Sequence, residues 1–180
     1  LSETIRGGHS GPVTDHQRSQ LGLIYSAALG LTSLASDIVD LARQEEGLVD
    51  AEPEPYSIQD VLEGVEEMVL PMAEEKRIEL LVTVPHYDRG YGHPIAIGRV
   101  LLNLTTNAIK FTDKGFVEVG AKLHGRRQIV YWVRDTGRGI PPELQAELFR
   151  PFKKRATREG HFFSGSGVGL SIARRLVRGM

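Results

Sequence analysis

The sequence contains no cysteine, which excludes disulfides, zinc ribbons and thiol catalysis together. It has no apolar run near the ~20 residues that a helix needs to cross a bilayer, so we expect no direct membrane contact. Charge of one sign is not in excess either, because 22 Lys and Arg stand against 23 Asp and Glu, a formal net charge of −1. Surfaces that bind nucleic acid normally show a basic excess, so we expect no nucleic-acid partner.

A long amphipathic helix is predicted over residues 15–46. Its apolar residues step by three and four in two adjacent rows, a face broader than a two-stranded coiled-coil seam. One helix cannot bury such a face alone, so we expect a homodimer in which this helix contributes to a four-helix bundle. Residues 47–56 hold Pro53, Pro55 and several acids, a composition typical of a linker, and a domain boundary is expected near residue 50.

The remainder of the chain predicts a mixed α/β domain. Ser57 is an N-cap candidate with Asp60 three residues later, and its helix should run to about Lys76 with a kink or a break at Pro71. Further helices are expected over 94–111, from the end of the turn at 142 to about 149, and over 170–178. Strands are expected over 78–84, 116–123 and 128–134, and loops over 85–92, 135–142 and 153–169. Strands and helices do not alternate regularly, which favours an α/β sandwich over a doubly wound sheet.

Asn103, Asn107 and Lys110 fall at spacings of four and three on the predicted helix over 94–111, and hence on one face. Two carboxamides and an ammonium are costly to bury unless they meet a ligand. Carboxamide oxygens can coordinate Mg²⁺, and lysine can neutralise a phosphate. A solvated polar stripe is the alternative that this helix alone leaves open.

Two glycine clusters follow, in a sequence where 20 of 180 residues are glycine, roughly 11% against a typical ~7%. Residues 135–140 read Asp-Thr-Gly-Arg-Gly-Ile, where glycines allow a ligand close to the backbone and Asp135 can accept a hydrogen bond from an amine. Residues 165–172 read Gly-Ser-Gly-Val-Gly-Leu-Ser-Ile and open a helix whose free amides suit a phosphate. A plain Asx turn and a glycine hinge are the respective alternatives.

Together, and in this order, these clusters resemble the motifs of sensor histidine kinases. Residues 100–112 (VLLNLTTNAIKFT) are similar to the N box of that family, 135–140 to its G1 box, 148–152 (LFRPF) to its F box and 165–172 to its G2 box. Residues 40–47 resemble the end of its second dimerisation helix. The resemblance implies an α+β fold, a two-layer sandwich of the Bergerat ATP-binding type with a mixed sheet and three helices on one face. A long helix of a dimeric four-helix bundle would precede it.

The resemblance also implies ATP and Mg²⁺ as cofactors and assigns roles around them. Asn107 would hold Mg²⁺, Asn103 would line the phosphate side, and Lys110 would contact phosphate. Phe111 would pack on the adenine, and Asp135 would accept the adenine amino group. The remaining candidates for nucleotide binding are Gly137, Gly139 and Ile140 in the turn, Lys153, Lys154 and Arg155 in an ATP lid over 153–169, and Ser166, Gly167, Gly169 and Leu170 closing over the triphosphate.

The phosphoacceptor motif of that family, a histidine followed by an acid and a proline, does not occur in this sequence. None of the six histidines stands in that context, so no catalytic residue is identified. We therefore expect residues 1–50 to be a partial dimerisation domain that lacks its first helix. Residues 51–180 would be the ATP-binding catalytic domain, truncated before the final β-hairpin of the family.

The implied function is that of a cytoplasmic histidine kinase core. It would transfer the γ-phosphoryl group of ATP to a histidine outside this chain, for relay to an aspartate of a response-regulator receiver domain. Water-activating ATPases of this fold have glutamate where Asn103 stands, and asparagine cannot take a proton from water at neutral pH. The alternative is a regulatory or degenerate ATP-binding module that senses nucleotide or pairs with another kinase. The long helix argues against a third hypothesis, a serine kinase of the anti-sigma type.

Overall fold

The computed structural model describes residues 11–14, 16–17, 20–22, 24, 28, 52–125, 128–145, 148–149 and 169–180. Most of the predicted helix over 15–46 lies outside these residues. The lid candidates Lys153, Lys154, Arg155, Ser166 and Gly167 also lie outside them. The dimerisation helix and the lid therefore stay predictions.

From residue 52 onward, the described residues form nine elements: β1 (Glu54–Ser57), α1 (Ile58–Lys76), β2 (Glu79–Thr83), β3 (Arg89–Gly92), α2 (Pro94–Phe111), β4 (Phe116–His124), β5 (Gln128–Asp135), α3 (Pro142–Gln145) and α4 (Gly169–Gly179). β2 pairs parallel with β4, and β4 pairs antiparallel with β5, so the three-stranded sheet is mixed. α1 and α2 pack against this sheet and against each other, and α4 packs on α2. The predicted α/β sandwich is confirmed. None of these helices has the length and apolar character needed to span a membrane.

Two clusters of buried side chains hold α1 and α2 on the sheet. In the first, Ile58 and Leu62 of α1 and Leu101 of α2 meet Val119 of β4. The second joins Val69, Ala73 and Ile78 to Ala108, Ile109 and Val117. Fully burying one such aliphatic side chain contributes about 1.5–3 kcal/mol. The clusters therefore hold the middle and the C-terminal part of α2, the helix that carries the predicted polar face.

α1 begins as the sequence predicts, since the Ser57 hydroxyl accepts a hydrogen bond from the Asp60 amide at 2.9 Å. Of the kink or break predicted at Pro71, the break does not occur, because the helix continues through this residue to Lys76. A proline inside a helix removes one backbone hydrogen bond. Here Val69, Ala73 and Ile78 on either side are buried in the second cluster, and this packing keeps the helix continuous.

The loop predicted over 85–92 was wrong at its end, where β3 pairs antiparallel with β1. β1 likewise occupies the end of the segment predicted as a linker over 47–56. Gly90 is required in this ladder, because a Cβ there would fall on the Tyr56 ring. The Tyr56 and Tyr131 hydroxyls lie 2.9 Å apart and join this ribbon to β5. Burial, with the bond to Tyr56, raises the pKa of Tyr131.

Asp88 joins the β3 side of the fold to the start of α1. Its carboxylate accepts hydrogen bonds from the Gln59 amide and from the Ser57 hydroxyl, the latter at 2.9 Å. The bond from Gln59, first among several causes, holds the pKa of Asp88 below its ordinary value of 3.8.

Replacing Asp88 with asparagine is expected to lower the urea midpoint of unfolding at pH 7. A depressed pKa contributes stability that is complete above the unfolded value and is lost as pH falls through the folded one. The difference between the Asp88→Asn variant and the unaltered chain should therefore shrink as pH drops below about 4. Urea titrations at pH 7, 4 and 3 measure it, and a difference that stays constant with pH would contradict this role.

Candidate nucleotide site

α2 is the frame of the candidate site. It begins after His93 at the N-cap with Pro94 in the first turn, and it ends at Phe111 with Thr112 as the C-cap, as the sequence predicts. Asn103, Asn107 and Lys110 are each half-buried on this helix. With 1.5 Å of rise per residue, roughly 12 Å of helix separates Asn103 from Phe111. The two ends of this span carry different chemistry.

The first end consists of two carboxamides and the start of α4. Asn107 donates its Nδ2–H to Asn103 Oδ1 at 3.0 Å, so the Asn107 oxygen keeps its acceptor capacity. Gly169, the first residue of α4, packs directly on the Asn103 side chain, and a Cβ built there would lie 2.7 Å from Asn103 Oδ1. Leu170 is half-buried beside it in sequence. Unpaired amides at a helix N-terminus attract anions, so this end suits phosphate.

Replacing Gly169 with alanine is expected to weaken binding of Mg·ATP about tenfold with a small loss of stability, about 1 kcal/mol or less. The added methyl must displace the Asn103 side chain, which is flexible, and the bond to Asn107 is lost with it. Calorimetric titration and thermal unfolding measure the two effects. Gly98→Ala is the control, since its Cβ would meet only Val61 at 3.9 Å. Equal affinities of the Gly169→Ala variant and the unaltered chain would argue against this arrangement.

The second end is built around the turn after β5. Asp135 Oδ1 accepts a hydrogen bond from the Gly137 amide at 2.8 Å, which closes an Asx turn and leaves the second carboxylate oxygen for another donor. Gly137 lies against the end of α2, where a Cβ would stand 2.6 Å from the Phe111 carbonyl oxygen. Gly139 has a φ of +66°, which favours glycine. Ile140 is half exposed at the end of this turn.

Thr136 fixes this turn to the loop after α2, a role that the sequence alone does not indicate. Its hydroxyl accepts a hydrogen bond from the Phe116 amide at 3.0 Å and lies 3.3 Å from the Lys114 carbonyl oxygen. Gly115, with a φ of +112°, makes room for it, because a Cβ there would collide with Thr136. The turn and the end of α2 are therefore held in a single arrangement.

Two cations lie on the Phe111 ring. Lys110 Nζ is 5.4 Å and the Arg138 guanidinium carbon 5.1 Å from its centroid. Both distances are typical of cation–π contacts. Burial partly removes the Lys110 ammonium from water, and this lowers its pKa. Arg138 is a residue of this end that the sequence alone does not single out.

Within the described ranges, no group of three or more His, Asp or Glu side chains is placed to hold a metal ion. Mg²⁺ keeps several non-protein ligands and is commonly held by one or two side chains together with substrate phosphates. The Asn107 oxygen fits such a role, since it is half-buried and faces no competing donor from Asn103. Any Mg²⁺ here would thus take the rest of its ligands from phosphates and water.

One protein-family model matches just under half of the chain. The family model described as "Histidine kinase-, DNA gyrase B-, and HSP90-like ATPase" matches residues 92–180. This range includes α2, the turn after β5 and α4. Every predicted nucleotide-binding residue therefore lies inside the matched range.

Two curated relatives align with almost the whole chain. The circadian input-output histidine kinase CikA of Thermosynechococcus vestitus is 31% identical over 180 residues, which are 98% of this chain and 25% of the relative. The signal transduction histidine-protein kinase BarA of Escherichia coli (strain K12) is 31% identical over 174 residues, 93% and 19% respectively. The chain thus spans a quarter or less of these relatives.

Solved structures share the architecture. Full-length ShkA, crystallised in complex with AMPPNP, superposes with a TM-score of 0.70 at 29% identity and covers 100% of this chain and 37% of ShkA. The catalytic domain of the histidine kinase ThkA gives a TM-score of 0.59 at 23% identity and covers 71% of this chain. The second likeness concerns the fold alone.

Proposed function

Since residues 92–180 belong to the histidine kinase-, DNA gyrase B-, and HSP90-like ATPase family, and the relatives are histidine kinases, we propose that this chain binds Mg·ATP for phosphoryl transfer to a histidine outside it. The observation that carries the proposal is that α2 joins both ends of the candidate site. Its Asn103–Asn107 pair meets the start of α4, and its last residue meets the turn at Gly137.

The proposed roles follow from the chemistry of each end. Asp135, with one oxygen free of the Gly137 bond, accepts the exocyclic amine of adenine. Asn107 offers its oxygen to Mg²⁺, and Lys110 and the first amides of α4 neutralise the phosphates. A bound Mg²⁺ held by Asn107 and the phosphates would further neutralise the charge that develops during transfer. Phosphoryl transfer depends on positioning and charge neutralisation more than on covalent chemistry by the protein.

Asn103 distinguishes transfer from hydrolysis in this proposal. Its carboxamide oxygen already accepts the Asn107 N–H, and an amide cannot take a proton from water at neutral pH. No base is therefore offered to water at this position, and the γ-phosphoryl group is left for a histidine brought by another segment.

The wider assignment extends to the parent protein. We propose that the helix over 15–46 forms a homodimeric bundle, and that the phosphohistidine passes its phosphoryl group to an aspartate of a receiver domain in the cytoplasm. The histidine-kinase names of CikA and BarA support this assignment. It also rests on the wide apolar face of the predicted helix.

Incubation with γ-labelled ATP and a separate dimerisation domain that bears an acceptor histidine tests the reaction. Transfer of label to the supplied domain is the expected result, and Asn107→Ala should abolish it. Binding of Mg·ATP without transfer would favour a regulatory nucleotide-binding module instead. Stable label on any of the six histidines of this chain would contradict an acceptor outside it.

A further inference from the structure

The C-terminal end of α2 is capped by a residue from another helix. Lys76, the last residue of α1, donates its Nζ–H groups to the carbonyl oxygens of Ile109, Lys110 and Thr112, each at 2.8 Å. An ammonium carries three donors, so these bonds use all of them. Lys76 is otherwise exposed, and the residues whose carbonyl groups it binds lie 33 to 36 positions later in the sequence.

Hydrogen bonds from outside the helix ladder reach three of the last four carbonyl groups of α2. The last four carbonyls of a helix have no partner within the helix. Ala108 is satisfied by the Thr112 amide at 3.0 Å, and Ile109 and Lys110 are satisfied by Lys76. The fourth, the Phe111 carbonyl group, packs against Gly137, where an added Cβ would stand 2.6 Å from the oxygen. A cation at a helix C-terminus also complements the negative end of the helix dipole.

We propose that Lys76 is a positioning residue for the nucleotide site, an inference that rests on the proposed function above. It touches none of the groups that would contact nucleotide. Instead it holds the backbone that carries Lys110 and leads to Phe111, and through Thr112 it holds the loop that meets Thr136. Without the ammonium, the last turn of α2 frays, and the base end of the site loses its fixed distance from the Asn103–Asn107 pair.

Three variants of the 180-residue chain test this role. Lys76→Met keeps the aliphatic stem and removes every donor, whereas Lys76→Arg keeps a donor and its charge. Lys122→Met removes the same charge from an exposed lysine over Trp132, near the far end of β4. Affinity for Mg·ATP is measured by calorimetry at a temperature where circular dichroism shows each variant fully folded.

Lys76→Met is expected to weaken Mg·ATP binding about tenfold, while Lys76→Arg stays within about threefold of the unaltered chain and Lys122→Met is unchanged. A purely structural lysine would lower the melting temperature and leave the affinity of the folded variant intact. That outcome would overturn the inference.

Hydrogen exchange of the nucleotide-free chain separates this inference from the proposed function. Lys76→Met should accelerate exchange of the amides of residues 112–116, and unaltered protection there would overturn the positioning role even if ATP binds. Failure of the unaltered chain to bind Mg·ATP, with exchange accelerated as expected, would instead contradict the proposed function and leave Lys76 as the residue that orders this helix end.

Discussion

Replacing Asp135 with asparagine is expected to weaken ATP binding about 100-fold and to erase the preference for adenine. A hydrogen bond to a charged group contributes about 1.5–3 kcal/mol, and the asparagine amide would turn a donor toward the amine of the base. The asparagine oxygen can still accept the Gly137 amide, which now bonds Asp135 Oδ1 at 2.8 Å. The turn itself is thus preserved, and the loss falls on base recognition.

Inosine triphosphate is the matched ligand for this experiment, because it carries an oxygen where ATP carries the amine. The unaltered chain should bind ATP far more tightly than the inosine nucleotide. In Asp135→Asn the two affinities should approach each other. Calorimetric titration of both proteins with both nucleotides gives the four values. If the asparagine variant still prefers ATP over inosine triphosphate as strongly as the unaltered chain, a group other than Asp135 recognises the adenine amine.

Replacing Gly137 with alanine should destabilise the fold and abolish binding together. The new Cβ would stand 2.6 Å from the Phe111 carbonyl oxygen and 2.9 Å from Asp135 Oδ1. The first is backbone at the end of α2, where Lys76 holds the neighbouring carbonyls, so it cannot shift cheaply. We expect a loss of about 2–3 kcal/mol in the free energy of unfolding.

Gly64→Ala is the control for this substitution, because nothing lies within 4 Å of its Cβ position in α1. Alanine inside a helix is favoured over glycine by about 0.5–1 kcal/mol, so this variant should gain stability. Urea unfolding of both variants, followed by titration with Mg·ATP at a temperature where each is folded, makes the comparison. Unchanged stability of Gly137→Ala would mean that the turn does not press on α2.

Local patterns were sufficient to predict the parts of the fold that bury one face. α2 begins at Pro94 and ends at Phe111 as predicted, since proline marks its first turn and apolar spacing continues to its last. β4 and β5 were also predicted, because both contain β-branched and aromatic residues and Gly125, with a φ of +65°, turns between them. Each of these signals lies within the element that it predicts.

β1 and β3 could not be predicted in this way. Each has only four residues, and β3 contains Gly90 and Gly92, which are unfavourable in strands. Their pairing, Glu54 with Gly92 at one end, joins segments more than thirty residues apart, and no local periodicity records that contact. For the converse reason the helix does not break at Pro71, because tertiary packing on both sides outweighs a local helix-breaking residue.

The same distinction between local sequence signals and tertiary packing applies to the candidate site. Spacing placed Asn103 and Asn107 on one face, and the structure joins them by a hydrogen bond. Lys76 reads in sequence as a basic residue in the last turn of its own helix, a common arrangement. That it caps a different helix depends on how α1 and α2 are packed, which the sequence does not record locally. The role of Thr136 likewise depends on contacts between distant segments and cannot be predicted from the local sequence.

Because the end of α2 is held by α1 through Lys76, by the turn after β5 through Gly137, and by the loop before β4 through Thr136, the base end cannot form in a partly assembled chain. Ligand that binds only the complete arrangement then acts on the whole folding equilibrium. At a hundred times its dissociation constant, such a ligand adds about 2.7 kcal/mol to stability. A rise in melting temperature with nucleotide concentration would therefore report the global cooperativity of this domain.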